Sequence, residues 1–293
     1  MESPTQVQPR AGIAGRRGIA VRLGLGDADY GGLLLVLPAL LVLLLLYVTP
    51  LVLSIYRSFV TEWGELTTEF YRKAFDFYFE DMLYTVGITT VVLVCVFAVS
   101  VTIASYLRFV DWPLLNFLYR IPLFIPFLIV GHAMRVFLAP HGTMNLLLAR
   151  VLGVEELPGL AFHWTGLVLS YVWKQFPFAT LLTLGAFKSI NDSYIEAAQN
   201  LGAGRVRVVF QVLLPMARPT VLVALVLTYV TTMGSLTIPL LVGPARPVML
   251  PVDMAFRVTY FNDWGTANAL GVVSYLLVIV VAYYYLRHLL KES

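Results

Sequence analysis

The sequence predicts an all-α integral membrane protein with six transmembrane helices. Three observations carry that prediction. Of 293 residues, 59% are hydrophobic and only 13% are charged, where a soluble domain carries about 25% charged residues. That is too little polar surface for a water-facing globule, and the same figures exclude a disordered chain. The apolar residues fall into six runs, each near the ~20 residues a helix needs to cross the hydrocarbon core. Basic residues gather on alternate connections, as orientation by positive charge requires.

The runs, in order, are Leu33–Tyr56, Leu83–Leu107, Leu114–Leu138, Leu160–Phe187, Val221–Val242 and Ala267–Leu286. Helices satisfy their own backbone groups in lipid, so each run reads as one helix. The first starts some thirty residues in, is too long for a signal sequence and lacks a small-residue cleavage pattern. Residues 1–29, rich in Gly and Arg and without periodicity, read as a mobile cytoplasmic arm. Residues 30–293 form the six-helix domain. Arg10, Arg16, Arg17 and Arg22 precede the first run, and the acidic segment Val60–Met82 follows it. Arg108 and Arg120, then Lys188, Arg205, Arg207 and Arg218, then Arg287 and Lys291 mark later connections. This pattern places both termini in the cytoplasm.

Other function classes lack their chemistry. The single cysteine, Cys95, cannot form an internal disulfide. His132, His141, His163 and His288 are too scattered for a metal site. The small net charge of +3 does not suggest nucleic acid. No G-x-x-x-x-G-K-[ST], H-E-x-x-H or G-x-S-x-G sequence occurs. No Asp or Glu lies inside the six runs, which weighs against an ion-coupled transporter.

The longest predicted cytoplasmic connection, 188–218, is patterned as a helical hairpin. Ser193-x-x-Glu196 has the form of a capping box. Tyr194, Ala197, Ala198 and Leu201 then share a face, and Gly202 supplies a left-handed C-cap. A second helix is expected from Gly204, with Val206, Val209, Phe210, Leu213 and Leu214 apolar, ended by Pro215 and Pro219. Periodicity alone fits either a docking element or a helix lying on the bilayer surface. The small residues beside Glu196 favour docking, since they bury little lipid.

Glu196-Ala197-Ala198, Gly202-Ala203, Phe210 and Val212-x-Leu214-Pro215, with Pro219 beyond, resemble the EAA signature of permease subunits of bacterial binding-protein-dependent ABC importers. Val212 stands where isoleucine is common. The resemblance implies the type I importer fold with a coupling helix between helices four and five, in the bacterial plasma membrane. It implies a second permease subunit, either a paralogue or a copy, a dimer of cytoplasmic ATPase subunits and an extracytoplasmic solute-binding protein. The chain itself is then no enzyme and holds no cofactor; ATP and Mg belong to the partner ATPase. Carried over as ATPase-coupling residues are Glu196, Ala197, Ala198, Gly202 and Ala203, with Leu214 and Pro215 fixing the exit angle.

Polar groups inside spans are costly and so are candidate pathway residues. These are Lys174 and Gln175 in run four, Thr231, Ser235 and Thr237 in run five, and His132 and Arg135 in run three. For Lys174, the resemblance implies a structural or gating role, since the family often has Trp-Lys followed by Pro here, as in Trp173-Lys174 with Pro177. Gly234-Ser235-Leu236-Thr237-Ile238-Pro239 with Gly243-Pro244 is similar to the spermidine/putrescine branch. That resemblance implies a polyamine or a related small organic solute, with sugar, thiamine, iron and phosphonate importers as alternatives. The missing carboxylates weigh against a cation site in this subunit.

Overall fold

The computed structural model describes residues 29–153 and 159–292. The predicted arm, except Asp29, lies outside them. Every regular element among the described residues is helical; an isolated antiparallel bridge joins Val60 and Leu66. The chain divides into two compact units, Met1–Leu53 and Ser54–Ser293.

Helix α1 (Asp29–Leu43) continues through a π turn (Leu44–Val48) into α2 (Thr49–Arg57), and the boundary between the units falls within α2. The π turn lies just before Pro50. Proline has no amide and its ring crowds the carbonyl four residues back. The widened turn lets the Thr49 amide donate to the Leu44 carbonyl instead, and Thr49 Oγ1 donates to the same oxygen at 2.9 Å. None of the described side chains from Leu35 to Leu53 is buried.

In the second unit, α3 (Glu69–Phe109) is 41 residues long. The sequence reading placed its span at Leu83–Leu107 and left the residues before it in an acidic connection. The helix instead begins at Glu69. Ion pairs one turn apart, Lys73 with Glu69 at 2.9 Å and Arg72 with Asp76 at 3.5 Å, support that extension. Its inner face, Ala74, Tyr78 and Met82, packs on Leu250 and Leu270.

Runs three and five are not continuous helices, contrary to the sequence reading. Run three comprises α4 (Pro113–Leu118), a 3-10 turn (Ile121–Phe124) and α5 (Phe127–Leu138). Pro122 and Pro126 withhold two amides here, and the stretch Pro113–Phe124 meets Phe127–Val151 at 104°. After α6 (Thr143–Leu152), run four is the helix α7 (Trp164–Ser189), which holds Pro177 without a break. It is followed by α8 (Asp192–Asn200) and α9 (Arg205–Val208).

A second π turn (Val209–Leu213) leads into α10 (Leu214–Met233). Arg205–Met233 is thus one 29-residue helical stretch, and Pro215 and Pro219 do not end the hairpin's second helix. The device is the one seen before Pro50: the Leu214 amide donates to the Val209 carbonyl, five residues back. Run five then breaks at Gly234–Leu236 before α11 (Thr237–Val242). Two helices follow, α12 (Leu250–Thr259) and α13 (Trp264–Glu292).

Four described helical stretches are long and apolar enough to cross a membrane: Leu35–Arg57, Glu69–Phe109, Arg205–Met233 and Trp264–Tyr284. The bent pair Pro113–Phe124 and Phe127–Val151 makes a fifth if the two count together. The helix α7 has 26 residues, about 39 Å at 1.5 Å each. It is among the most buried elements, packed along α3 through Tyr171, Phe187 and Leu167, all 0% exposed. Gly131 on α5 permits close approach of α11: a Cβ there would lie 2.8 Å from Leu241 Cδ1.

Candidate coupling hairpin and buried polar sites

The hairpin after α7 is built locally. Its first helix is capped by Asn191, whose side-chain oxygen accepts the Ser193 amide at 3.0 Å. The expected Ser193–Glu196 capping box is therefore not the cap; the helix starts one residue before Ser193, at Asp192. The C-terminus is as expected. Gly202 has φ +83, its amide donates to Gln199 O at 2.8 Å, and the Ala203 amide donates to Ala198 O at 3.0 Å. This is a Schellman motif, which satisfies carbonyls that a helix end would otherwise leave open.

The packing divides the hairpin into an anchored and an open side. Ile195, Val208, Val209 and Leu213 are buried in one cluster with Leu107, Leu184, Phe187 and Ile190, and Ala198, Ala203 and Leu214 pack against it. Tyr194, Ala197 and Leu201 remain uncovered, as do Val206 and Phe210; Leu201 is 89% exposed. Glu196, Gly202 and Pro215 are also exposed. The sequence reading grouped Tyr194, Ala197, Ala198 and Leu201 as one face but missed that Ile195 is the anchor. Apolar side chains left open on a small, rigid turn suit a protein partner.

Arg108, at the last turn of α3, meets this hairpin. Its Nε donates to Phe187 O at 2.9 Å, and its Nη2 donates to Ile190 O at 3.1 Å and to Asp192 Oδ1 at 2.5 Å. The sequence reading used Arg108 only for orientation.

The pathway candidates fall into separate places. Lys174 is 8% exposed. Its ammonium donates to Pro122 O at 2.9 Å and Ile125 O at 2.6 Å, with Leu123 O at 3.4 Å, and lies 5.0 Å over the Phe127 ring. Of these carbonyls only Pro122 O also receives a backbone amide, that of Ile125 at 3.4 Å; Leu123 O and Ile125 O lie at the break in run three, where Pro126 has no amide to offer. Lys174 thus fills a structural need created by Pro122 and Pro126. Gln175 Nε2 donates to Thr231 Oγ1 at 2.8 Å and joins α7 to α10. Ser235 offers its backbone carbonyl to Tyr171 Oη at 3.4 Å, and Thr237 opens α11. His132 and Arg135 line a cavity of about 510 Å³ with Thr143, Leu146 and Phe162, and Arg135 lies 5.3 Å over the Phe162 ring.

One polar cluster has no local signal in the sequence. Asp81, 2% exposed, accepts the Val248 amide at 2.8 Å, and Thr85 Oγ1 accepts the Leu250 amide at 3.0 Å. Both bonds cross more than 160 residues of chain. They fix the start of α12 onto α3. Asp253, 6% exposed, is buried nearby with Oδ2 unbonded. Burial, and behind it the Asp81 carboxylate, push the Asp253 carboxyl up to about 7, against the pull of Arg246 and Arg257. Arg257 in turn bonds Tyr78 Oη and Asp263. Asp263 Oδ1 accepts the Thr266 amide at the start of α13.

The model of the family described as "Binding-protein-dependent transport system inner membrane component" matches residues 96–292. The sulfoquinovosyl glycerol transport system permease protein SmoG of Agrobacterium fabrum is 30% identical, covering 90% of this chain and 92% of its own. The spermidine/putrescine transport system permease protein PotB of Escherichia coli is 22% identical over 78% of this chain and 85% of its own. The molybdenum transport system permease protein ModB of Azotobacter vinelandii is 32% identical over 43% and 54%. Among solved structures, a chain of a bacterial ABC transporter that imports the acidic polysaccharide alginate shares the fold. It has TM-score 0.73 and 20% identity, over 89% of this chain and 96% of the other. A family model spanning most of the chain, a full-length relative and a shared fold agree: the chain belongs to the binding-protein-dependent transport system inner membrane components and is a permease subunit of an ABC importer.

Proposed function

We propose that this permease forms half of a translocation path through six spans and couples it to a separate cytoplasmic ATPase through the hairpin 188–218. The observation that carries this is the pairing of a rigid, glycine-closed turn with an uncovered apolar stripe, Tyr194, Ala197 and Leu201. The stripe is the surface for the ATPase, with Glu196 at its side. Because α9 continues into α10 without a break, movement of a docked hairpin passes directly into a span. Spans then rock between inward-open and outward-open states. A second permease subunit completes the path, and an extracytoplasmic binding protein delivers the solute. Both termini lie in the cytoplasm. ATP and Mg are bound by the partner ATPase.

For the solute, the motif around Gly234–Pro239 supports a polyamine or related organic solute. A second reading, a sugar glycoside, is favoured by the full-length similarity to a sulfoquinovosyl glycerol permease. Two experiments test the reading. Co-purification from the native host should bring down an ATPase and a second permease; a chain that purifies alone contradicts the coupling. Calorimetric screening of the partner binding protein against spermidine and against glycosides separates the two solutes.

A further inference from the structure

The joint between α7 and α8 is short. The first helix ends at Ser189, Ile190 leaves it in an extended conformation, and Asn191 already caps the next helix. Such a joint is where a driven hairpin would bend relative to its span. Arg108 reaches it from a third element, α3. Its guanidinium bonds carbonyls on the α7 side, Phe187 and Ile190, and a carboxylate on the α8 side, Asp192. The Arg108 side chain is mostly buried while that of Asp192 is exposed. A planar fork with several donors in fixed directions suits this three-acceptor arrangement; a lysine ammonium does not match it. Below the fork, Leu107 packs in the same cluster as Phe187, Ile190 and Ile195. The hairpin therefore has a continuous link to α10 and a bonded link to α3.

We propose that Arg108 is a positioning residue of the transport cycle: by bonding both sides of the α7–α8 joint, it makes the hairpin and α3 move as one body. This rests on the coupling role proposed above and adds the route by which α3 receives the motion. Without Arg108 the hairpin still docks, since its open stripe is untouched, but α3 lags behind it.

The test uses the chain purified with its ATPase and partner permease in lipid nanodiscs. Cys95 is replaced by Ala, and spin labels are placed at Gln199 on α8 and Val94 on α3, both exposed. Gln199 lies on the side of α8 opposite the stripe. The label distance is measured nucleotide-free and after trapping with ATP and vanadate. The expected result is an unchanged distance with Arg108 present. In Arg108→Gln the distance shifts between the two states by about the 1–2 Å typical of helix displacements or more, while the ATPase is still bound and still hydrolyses ATP. Arg108→Lys should shift part of the way, and Asp192→Asn, which keeps both carbonyl bonds, least. A distance that changes with Arg108 in place, or stays constant in Arg108→Gln, overturns the proposal. If Arg108→Gln does not assemble, a constant distance in Arg108→Lys overturns it equally. If no ATPase accompanies the unmodified chain, the coupling role itself fails and takes this inference with it.

Discussion

Two regions of α3, around Asp81 and at the last turn around Arg108, use polar groups in opposite ways. Asp81 and Arg108 are 27 residues apart on one helix, about 40 Å at 1.5 Å per residue. At the Arg108 end a mostly buried guanidinium meets the exposed Asp192 carboxylate, Phe187 O and Ile190 O each have a donor, and apolar side chains of the hairpin stand open to solvent. Around Asp81 the carboxyls are buried, the loops are pinned by side chains, and Asp253 keeps an oxygen without a partner. The Arg108 region is finished internally and incomplete externally, as a docking surface must be. The Asp81 region is closed externally and unsatisfied internally. A buried group with no partner raises the energy of one arrangement and so lowers the cost of leaving it.

The largest effect should come from between these regions. Lys174→Met removes the side-chain donor shared by the carbonyls at the bend of run three and leaves Leu123 O and Ile125 O open, while Pro122 O keeps the Ile125 amide. A loss of about 3 kcal/mol is expected from unsatisfied buried groups, read as a lowered thermal midpoint in detergent. An unchanged midpoint would show that those carbonyls have another donor.

At the hairpin end, Gly202→Val should cost about 1–2 kcal/mol, because a β-branched residue resists φ +83. Nothing lies within 4 Å of an added Cβ, so the cost is conformational and not steric crowding. Gly202→Asn, which visits the left-handed region, should recover most of the ATPase capture that Gly202→Val loses. Equal loss in both variants would point to crowding by a partner instead.

In the Asp81 region, Asp253 gives a pH signature. Its folded-state carboxyl near 7 lies above the unfolded value near 3.9, so the folded protein holds this proton more tightly. The contribution of Asp253 is most favourable below pH 4 and is lost as pH rises through about 7. Thermal melts of the unmodified protein should therefore fall from pH 5 to pH 8 relative to Asp253→Asn, which has no such proton to lose. Parallel profiles would remove the buried carboxyl from the account. The smallest effect belongs to Gln175→Leu, which loses one neutral hydrogen bond to Thr231, about 1 kcal/mol.

Much of this was legible in the sequence, and the reasons it failed elsewhere are physical. Gly202 was readable because glycine takes the left-handed conformation of a C-cap at the least cost. Run two was readable in its apolar half, but its acidic half is helical through local ion pairs and through packing on α12 and α13, which composition does not display. Asn191 was passed over for Ser193 because both are good caps and only the chain direction after Ile190 selects between them. Pro215 read as a terminator, yet a π turn absorbs it, as another does before Pro50. Lys174 was noticed as a costly charge, and its partners, backbone carbonyls freed by prolines some fifty residues away, carry no side-chain signal. Asp81 and Asp253 meet only through the fold.

The most direct test of the central claim is a photo-crosslinking amino acid at Leu201, in cells expressing the whole transport system. The account predicts a crosslink to an ATPase subunit that strengthens when ATP is trapped with vanadate. Crosslinks confined to phospholipid would contradict it, and would make the hairpin a surface helix.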